Sequence, residues 1–270
     1  MIEKISDVMI VTDIDGSLLR ASAGVSKENR EAIERFVAEG GDFTVSTGRV
    51  IEAAANLVGM LPISVPSMHI NGGYFYDWKQ KKIVDPTYID PISHMIAKKI
   101  TERFSDLDCY FAKEHAVNLM TKGEILPLYT ADRAFYHFDG GFEDIPDDIY
   151  KFIVVTHPEM MPEVREFAGS VVVPQIKFIQ SSPFFLEMLP AGVSKGKALH
   201  KLAKMSGKPI ENIAAVGDFE NDIEMIKAAG IGCAVANAQP EVKAAADIQL
   251  VSCEEHAIAQ LIRYFEDRYA

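Results

Sequence analysis

The chain predicts an α/β fold, a Rossmann-like parallel-sheet core with an inserted α+β cap. Three observations predict it. Short β-rich runs alternate with amphipathic helical patterns at both ends of the chain. The middle breaks that alternation. Acidic or glycine-containing turns follow several of the strands. The length agrees, because 270 residues exceed one ordinary domain.

The first predicted strand is Val8 to Val11, ending in Asp13-Ile14-Asp15-Gly16. A helix follows from Ser26, an N-cap type, with Ile33, Phe36 and Val37 on one face. Gly40-Gly41 stops it. Asp42 to Ser46 reads as a strand and Val50 to Val58 as a helix. Ser64 to Ile70 reads as a third strand of the same sheet, closed by Asn71-Gly72-Gly73. Near the C-terminus the pattern resumes. Lys195 to Met205 is a helix, Ile213 to Val216 a strand, Asp222 to Ala229 a helix and Gly232 to Val235 a strand. Ile248 to Val251 is a last strand and Glu254 to Asp267 a last helix.

Pro86 and Pro91 punctuate the exit into the middle region. There Ile92, Met95, Ile96, Ile100 and Phe104 mark a helix. Cys109 to Met120 reads as a strand pair or one bent strand, Phe152 to Val155 as a strand and Glu163 to Ala168 as a helix. Val171 to Ile179 and Phe184 to Leu189 read as strands joined at Ser181-Ser182-Pro183. The expected domains are therefore 1–84 with 190–270 as core, and 85–189 as cap.

A hydrophobic fraction of 48% supports a sizeable core, and 24% charged residues is a globular value, which excludes disorder, collagen and coiled coil. Lys plus Arg is 27 against 39 for Asp plus Glu, a net charge of −12. That balance excludes a general nucleic-acid binder and demands a local device if the ligand is an anion. Cys109, Cys233 and Cys253 are too few and scattered for a disulfide scaffold, and no CxxC pair suggests zinc. No basic leader or apolar run of membrane-spanning length is evident. The expectation is a cytoplasmic, reduced protein with no membrane association.

Three motifs fall at the carboxyl ends of predicted core strands, where open α/β sheets bind ligands. They are Asp13-Ile14-Asp15-Gly16-Ser17, Ser46-Thr47-Gly48-Arg49 and Gly217-Asp218-Phe219-Glu220-Asn221-Asp222. Lys195 follows near a helix start. Crowded carboxylates repel unless a cation sits among them, and Mg²⁺ suits oxygen ligands and phosphate. A carboxylate can form an aspartyl phosphate, and a second acid can protonate the leaving oxygen and later activate water. Thr47, the Gly48 amide and Lys195 can meet phosphate oxygens.

These residues resemble the haloacid dehalogenase superfamily. DIDGS is similar to its DxDGT motif, STGR to its second, GVSKGKAL to its third and GDFENDIEMI to its GDxxND fourth. Asn71-Gly72, the KGKAL helix and the ANAQPEVKAAAD run resemble the Cof-type branch, which carries an α/β cap between the second and third motifs. The resemblance implies roles. Asp13 would be nucleophile and Mg²⁺ ligand. Asp15 would be general acid/base and offer its backbone carbonyl to Mg²⁺. Thr47, Gly48, Lys195 and Asn221 would bind phosphate, Asp218 would ligate Mg²⁺, and Asp222 would sit in or beside the metal's outer shell. The implied activity is phosphatase action on small phosphorylated metabolites: sugar phosphates, nucleotides or phosphorylated cofactors. A phosphomutase and a slowly turning phosphoryl-accepting regulator are alternatives. Ser17 replaces the usual Thr, Gly73 replaces an Ala, and His256 stands in a turn that is commonly acidic followed by glycine.

Structural readings compete with these roles. Asp13 and Asp15 suit a turn, Thr47-Gly48 a helix N-cap, and Asp222 the first turn of a helix. Arg49 suits a surface or interdomain salt bridge, and Lys197 rivals Lys195. The seven histidines (69, 94, 115, 137, 157, 200 and 256) show no metal spacing. Met160, Met161, Phe135, Tyr136 and Phe138 read as cap packing. Lys79 to Lys82 reads as a solvated hairpin or linker end.

Overall fold

The computed structural model describes residues 2–19, 24–113, 116–129, 135–171 and 173–269. His115 lies outside the described residues. Two compact units result, one of Met1–Arg49, Ala54–Pro86 and Ser194–Ala270, the other of Val50–Ala53 and Thr87–Val193.

In chain order come β1 (Met9–Thr12), α1 (Lys27–Ala38), β2 (Asp42–Val45), α2 (Ile51–Val58), β3 (Ser67–His69), β4 (Tyr74–Asp77) and β5 (Lys82–Val84), all of the first unit except residues 51–53 of α2, which fall in the second. The second unit then supplies α3 (Ile92–Arg103), β6 (Leu107–Lys113), β7 (Ala116–Leu119), α4 (Leu126–Tyr129), β8 (Phe135–His137), β9 (Lys151–Thr156), α5 (Met161–Ser170), β10 (Ile176–Ser182) and β11 (Phe185–Pro190). The first unit is completed by α6 (Lys195–Ser206), β12 (Ile213–Gly217), α7 (Ile223–Ala228), β13 (Ile231–Ala234), α8 (Pro240–Ala245), β14 (Ile248–Gln249) and α9 (Ala257–Tyr269).

Among the described residues, the core sheet has five strands in the order β14-β13-β12-β1-β2. All its pairings are parallel, as crossover connections require. β1 is buried on both faces, which is why it reads as an unbroken apolar run. Met9 and Val11 pack with Leu199 and Leu202 of α6. Val8 and Ile10 belong to the opposite cluster, with Ile33 and Phe36 of α1 and Leu261 and Phe265 of α9. Each such side chain removed from water contributes roughly 1.5–3 kcal/mol. Ser26 caps α1 by accepting from the Asn29 amide at 3.1 Å.

Register positions the site. Thr12 pairs with both Val45 and Val216, so β1, β2 and β12 end at one level. Their pairing continues one step further, with the Asp13 amide donating to the Val216 carbonyl at 2.9 Å and the Ser46 amide to that of Thr12 at 2.9 Å.

The third strand departs from expectation. Ser67–His69 pairs antiparallel with β4, and β4 with β5, in a separate three-stranded sheet. Beside β2 it forms, among the described residues, one isolated parallel bridge, Ser46 to Met68, a residue past the end of β2. Pro66 offers no amide to a ladder, and the Tyr74–Val84 hairpin supplies a nearer partner. The Lys79 to Lys82 segment is that hairpin's turn and the start of β5.

The second unit holds a six-stranded sheet in the order β10-β11-β9-β6-β7-β8. Its pairings are antiparallel except β7 with β8. α3 and α5 cover one face, through Ile96, Ile100, Met161 and Val164 against Phe111, Phe152 and Val154. Cys109 to Met120 is a strand pair, since β6 and β7 run antiparallel. The expected strand from Val171 begins only at Ile176, because α5 runs on to Ser170. No helix among the described residues is long and apolar enough to cross a membrane. Cys109, Cys233 and Cys253 are buried free thiols.

Candidate active site

Asp13 directly follows β1, Asp218 follows β12, and Asp222 ends the short 3-10 turn before α7. One oxygen from each of these carboxylates lies within 4.8 Å of the others. Lys195, the first residue of α6, reaches among them. Its Nζ donates to Asp13 Oδ1 at 2.5 Å and to Asp222 Oδ1 at 2.6 Å. Lys195 is fully buried, whereas Lys197 is exposed. Asp222 Oδ2 accepts from the amides of Asp218 at 3.0 Å and Phe219 at 3.2 Å, which closes the Gly217–Asp222 loop on itself. Ser17 Oγ donates to Asp218 Oδ1 at 3.0 Å. Ser17 therefore retains the hydroxyl that the threonine-to-serine change leaves.

Glycine is required beside these carboxylates. Gly16 sits at φ +80°, and a Cβ there would meet Asp218 Oδ2 at 2.4 Å. A Cβ on Gly217 would lie 2.3 Å from that of Asp222.

The electrostatics follow from two buried acids, Asp13 and Asp222, and the half-buried Asp218 facing one lysine. Burial pushes the Asp13 carboxyl well above its usual range; Lys195 opposes this, while Asp222, Asp218 and Asp15 add to it. Burial likewise raises Asp218 to about 7, helped by the Asp222 charge and opposed by the Ser17 hydrogen bond. Burial alone would lower the Lys195 ammonium. Asp13 and Asp222 outweigh it and hold the group above the ordinary lysine range. The cluster thus sets three carboxyls against one ammonium, more acidic groups than its lysine can neutralise once all are ionised. An all-oxygen carboxylate set with that imbalance fits a hard divalent cation.

Asp15 is placed differently. Its carboxylate is half exposed and meets Arg49 in a two-bond fork, Nε to Oδ2 at 2.7 Å and an Nη to Oδ1 at 2.8 Å. Arg49, read from sequence as a surface or interdomain salt bridge or as a residue reaching toward cap or substrate, forms a partly exposed salt bridge with a motif acid inside its own unit. The adjacent Thr47 is buried, and its Oγ1 accepts from the Arg49 amide at 3.1 Å. Gly48 lies half-buried in the same turn. Asn221 is buried and donates from Nδ2 to Asn71 Oδ1 at 3.1 Å. Asn71 in turn donates its amide to the Thr47 carbonyl at 2.9 Å. Sequence reasoning noted Asn71 only as part of an Asn-Gly turn, because its partner is 150 residues away.

The parallel core and its carboxylate cluster define a class, and the comparisons agree. The family model described as haloacid dehalogenase-like hydrolase matches residues 10–262. The chain belongs to that family, in its Cof-type branch, and is an enzyme of the phosphoric monoester hydrolase class. It is 30% identical, over 97% of both chains, to the 5-amino-6-(5-phospho-D-ribitylamino)uracil phosphatase YcsE of Bacillus subtilis. It is 27% identical to the pyridoxal phosphate phosphatase YbhA of Escherichia coli, covering 94% of this chain and 97% of that one. Among solved structures, a haloacid dehalogenase-like hydrolase from Bacteroides thetaiotaomicron superposes with a TM-score of 0.82 at 25% identity, covering 95% of this chain and 98% of that one.

Proposed function

We propose that this chain is a Mg²⁺-dependent phosphatase of small phosphorylated metabolites that works through an aspartyl phosphate on Asp13. The observation that carries this reading is the cluster of Asp13, Asp218 and Asp222 against the buried Lys195. Asp13 and Asp218, with the Asp15 carbonyl, are the groups assigned to hold Mg²⁺, and Asp222 is assigned to its outer shell. When bound, the ion supplies positive charge against both the carboxylates and the phosphoryl oxygens.

Lys195 engages Asp13 Oδ1, so Oδ2 is the oxygen assigned to attack. It forms a bond to phosphorus as the bond to the substrate oxygen breaks. Asp15, once out of the Arg49 fork and carrying a proton, gives it to the departing alkoxide. Asp15 then takes a proton from water, whose oxygen attacks phosphorus, releasing phosphate and restoring Asp13. Thr47, the Gly48 amide, Asn221 and the Lys195 ammonium are assigned to the phosphoryl oxygens. The second unit is assigned as a cap that supplies substrate contacts. Names among the relatives support phosphorylated cofactors and cofactor precursors as substrates, beside sugar phosphates and nucleotides. The test is phosphate release from a panel of such metabolites with Mg²⁺ and with chelator. Release that ignores chelator, or none from any member, contradicts the reading.

A further inference from the structure

Asp218 is held from two sides, and both supports lead to the turn between β13 and α8. On the backbone side, the Gln239 amide donates to the Asp218 carbonyl at 3.0 Å. On the carboxylate side, Ser17 Oγ donates to Asp218 Oδ1 at 3.0 Å. Ser17 is joined by a peptide bond to Gly16, and Asn237 Nδ2 donates to the carbonyl of that peptide at 2.7 Å. Asn237 and Gln239 lie two residues apart. Asn237, Gly16, Ser17, Asp218 and Gln239 therefore close a ring that includes the Asp218 carboxylate.

The direction of the Asn237 amide is fixed by its two neighbours. A carbonyl only accepts, so the nitrogen must face Gly16. The Cys253 backbone amide only donates, and it meets the Asn237 oxygen at 3.0 Å. Glycine is needed at position 16, since φ is +80° and an added Cβ would meet Asp218 Oδ2. The same glycine leaves the peptide to Ser17 the freest backbone torsions of any residue. An outside donor on that peptide restrains them, and Asn237 supplies one.

We propose that Asn237 is a positioning residue for the metal site. Its amide fixes the plane of the Gly16–Ser17 peptide. That keeps the Ser17 hydroxyl on Asp218 Oδ1 and sets the direction in which the Asp218 carboxylate faces the ion. The proposal gives a task to the Ala236-Asn237-Ala238 stretch, which the proposed reaction leaves unused. It rests on the reading of Asp218 as a Mg²⁺ ligand.

The test is a double-substitution cycle read on metal binding, apart from turnover. Substrate-free protein should be titrated with Mn²⁺, which takes oxygen ligands as Mg²⁺ does, and the free ion counted by electron paramagnetic resonance. The proteins are wild type, Asp218→Asn, Ser17→Ala, Asn237→Ala and the Ser17→Ala/Asn237→Ala double variant. Asn237 is exposed, so its truncation removes no core packing. Ser17→Ala should weaken Mn²⁺ binding by about 10- to 100-fold, the usual cost of removing a hydrogen bond to a metal-ligating carboxylate. Asn237→Ala should weaken it by about two- to tenfold, the worth of one hydrogen bond. In the Ser17→Ala background the same step should cost less than about twofold, because Asn237 acts through Ser17. A merely structural asparagine would give one factor in both backgrounds. That result, or no loss in Asn237→Ala while Asp218→Asn loses Mn²⁺, would overturn the role of Asn237 alone. If Asp218→Asn binds Mn²⁺ as wild type does, the assignment of Asp218 fails and the inference falls with it.

Discussion

Two buried lysines in this molecule stand in opposite electrostatic situations. In the second unit, Lys151 meets Glu187 at 2.5 Å, with both side chains almost wholly buried. One charge of each sign is removed from water together. In the core, Lys195 meets Asp13 and Asp222 with Asp218 beside them. The first arrangement sets one ammonium against one carboxylate. The second sets three carboxyls against one ammonium, and burial raises two of those carboxyls, so full ionisation of the set calls for a further cation. A balanced pair is a structural solution, because breaking it costs stability and removing both partners costs little. An excess of carboxyls that the fold itself maintains, by closing the Gly217–Asp222 loop on Asp222, is what a cation-binding phosphatase centre needs.

The contrast can be broken from either side. The largest effect expected is on turnover. Asp13→Asn should lower kcat by on the order of 10⁴-fold or more, with an unfolding midpoint no lower than wild type, as a phosphate-release assay beside a thermal melt would show. Next is the cap pair. Lys151→Met should cost about 3–5 kcal/mol in denaturant unfolding, because the buried Glu187 loses the ammonium set against it, and adding Glu187→Leu should recover most of it. No analogous double substitution at Lys195 and Asp222 should restore activity.

His69 provides a pH signature in the core. Burial holds its folded pKa at about 4, below the unfolded 6.5, so the unfolded chain binds more protons between those values. Stability from the neutral form is complete above about pH 6.5 and is lost as pH falls toward 4, by roughly 3 kcal/mol at full size. His69→Phe should flatten that slope in unfolding measured across pH 4–7. Mg²⁺ should stabilise the core selectively, by about 2.7 kcal/mol at a hundredfold excess over Kd. Asp218→Asn should abolish the shift. The smallest effect expected is the stability cost of Arg49→Met, under about 1 kcal/mol for a partly exposed pair.

What could be read in advance follows how local the signal is. β1 and β12 were legible because each is an apolar run ending in a polar turn, and β2 because β-forming Phe43, Thr44 and Val45 lie between the Gly40-Gly41 stop and the Ser46-Thr47-Gly48 turn. Their alignment brings Asp13 and Asp218 together, and Lys195 arrives because Ser194 caps α6. The third strand misled. Ser64 to Ile70 has the composition of a core strand, but its partner, β4, is chosen by a hairpin that composition does not announce. β8 was missed since Phe135 to His137 pairs in parallel with β7 across an intervening helix. The Arg49 fork, the Asn71–Asn221 bond and the Asn237–Gly16 bond were illegible for one reason: each joins residues whose proximity exists only after folding.

The central claim is that Asp13 carries the phosphoryl group. Asp15→Asn should be mixed with 4-nitrophenyl phosphate and Mg²⁺, quenched in acid and mapped by peptide mass spectrometry. The good leaving group lets the first step proceed, while water activation is impaired. One phosphoryl group on the peptide containing Asp13, absent from the Asp13→Asn/Asp15→Asn double variant, is the predicted result. A phosphoryl group on another residue, or full turnover by Asp13→Asn, would contradict the account.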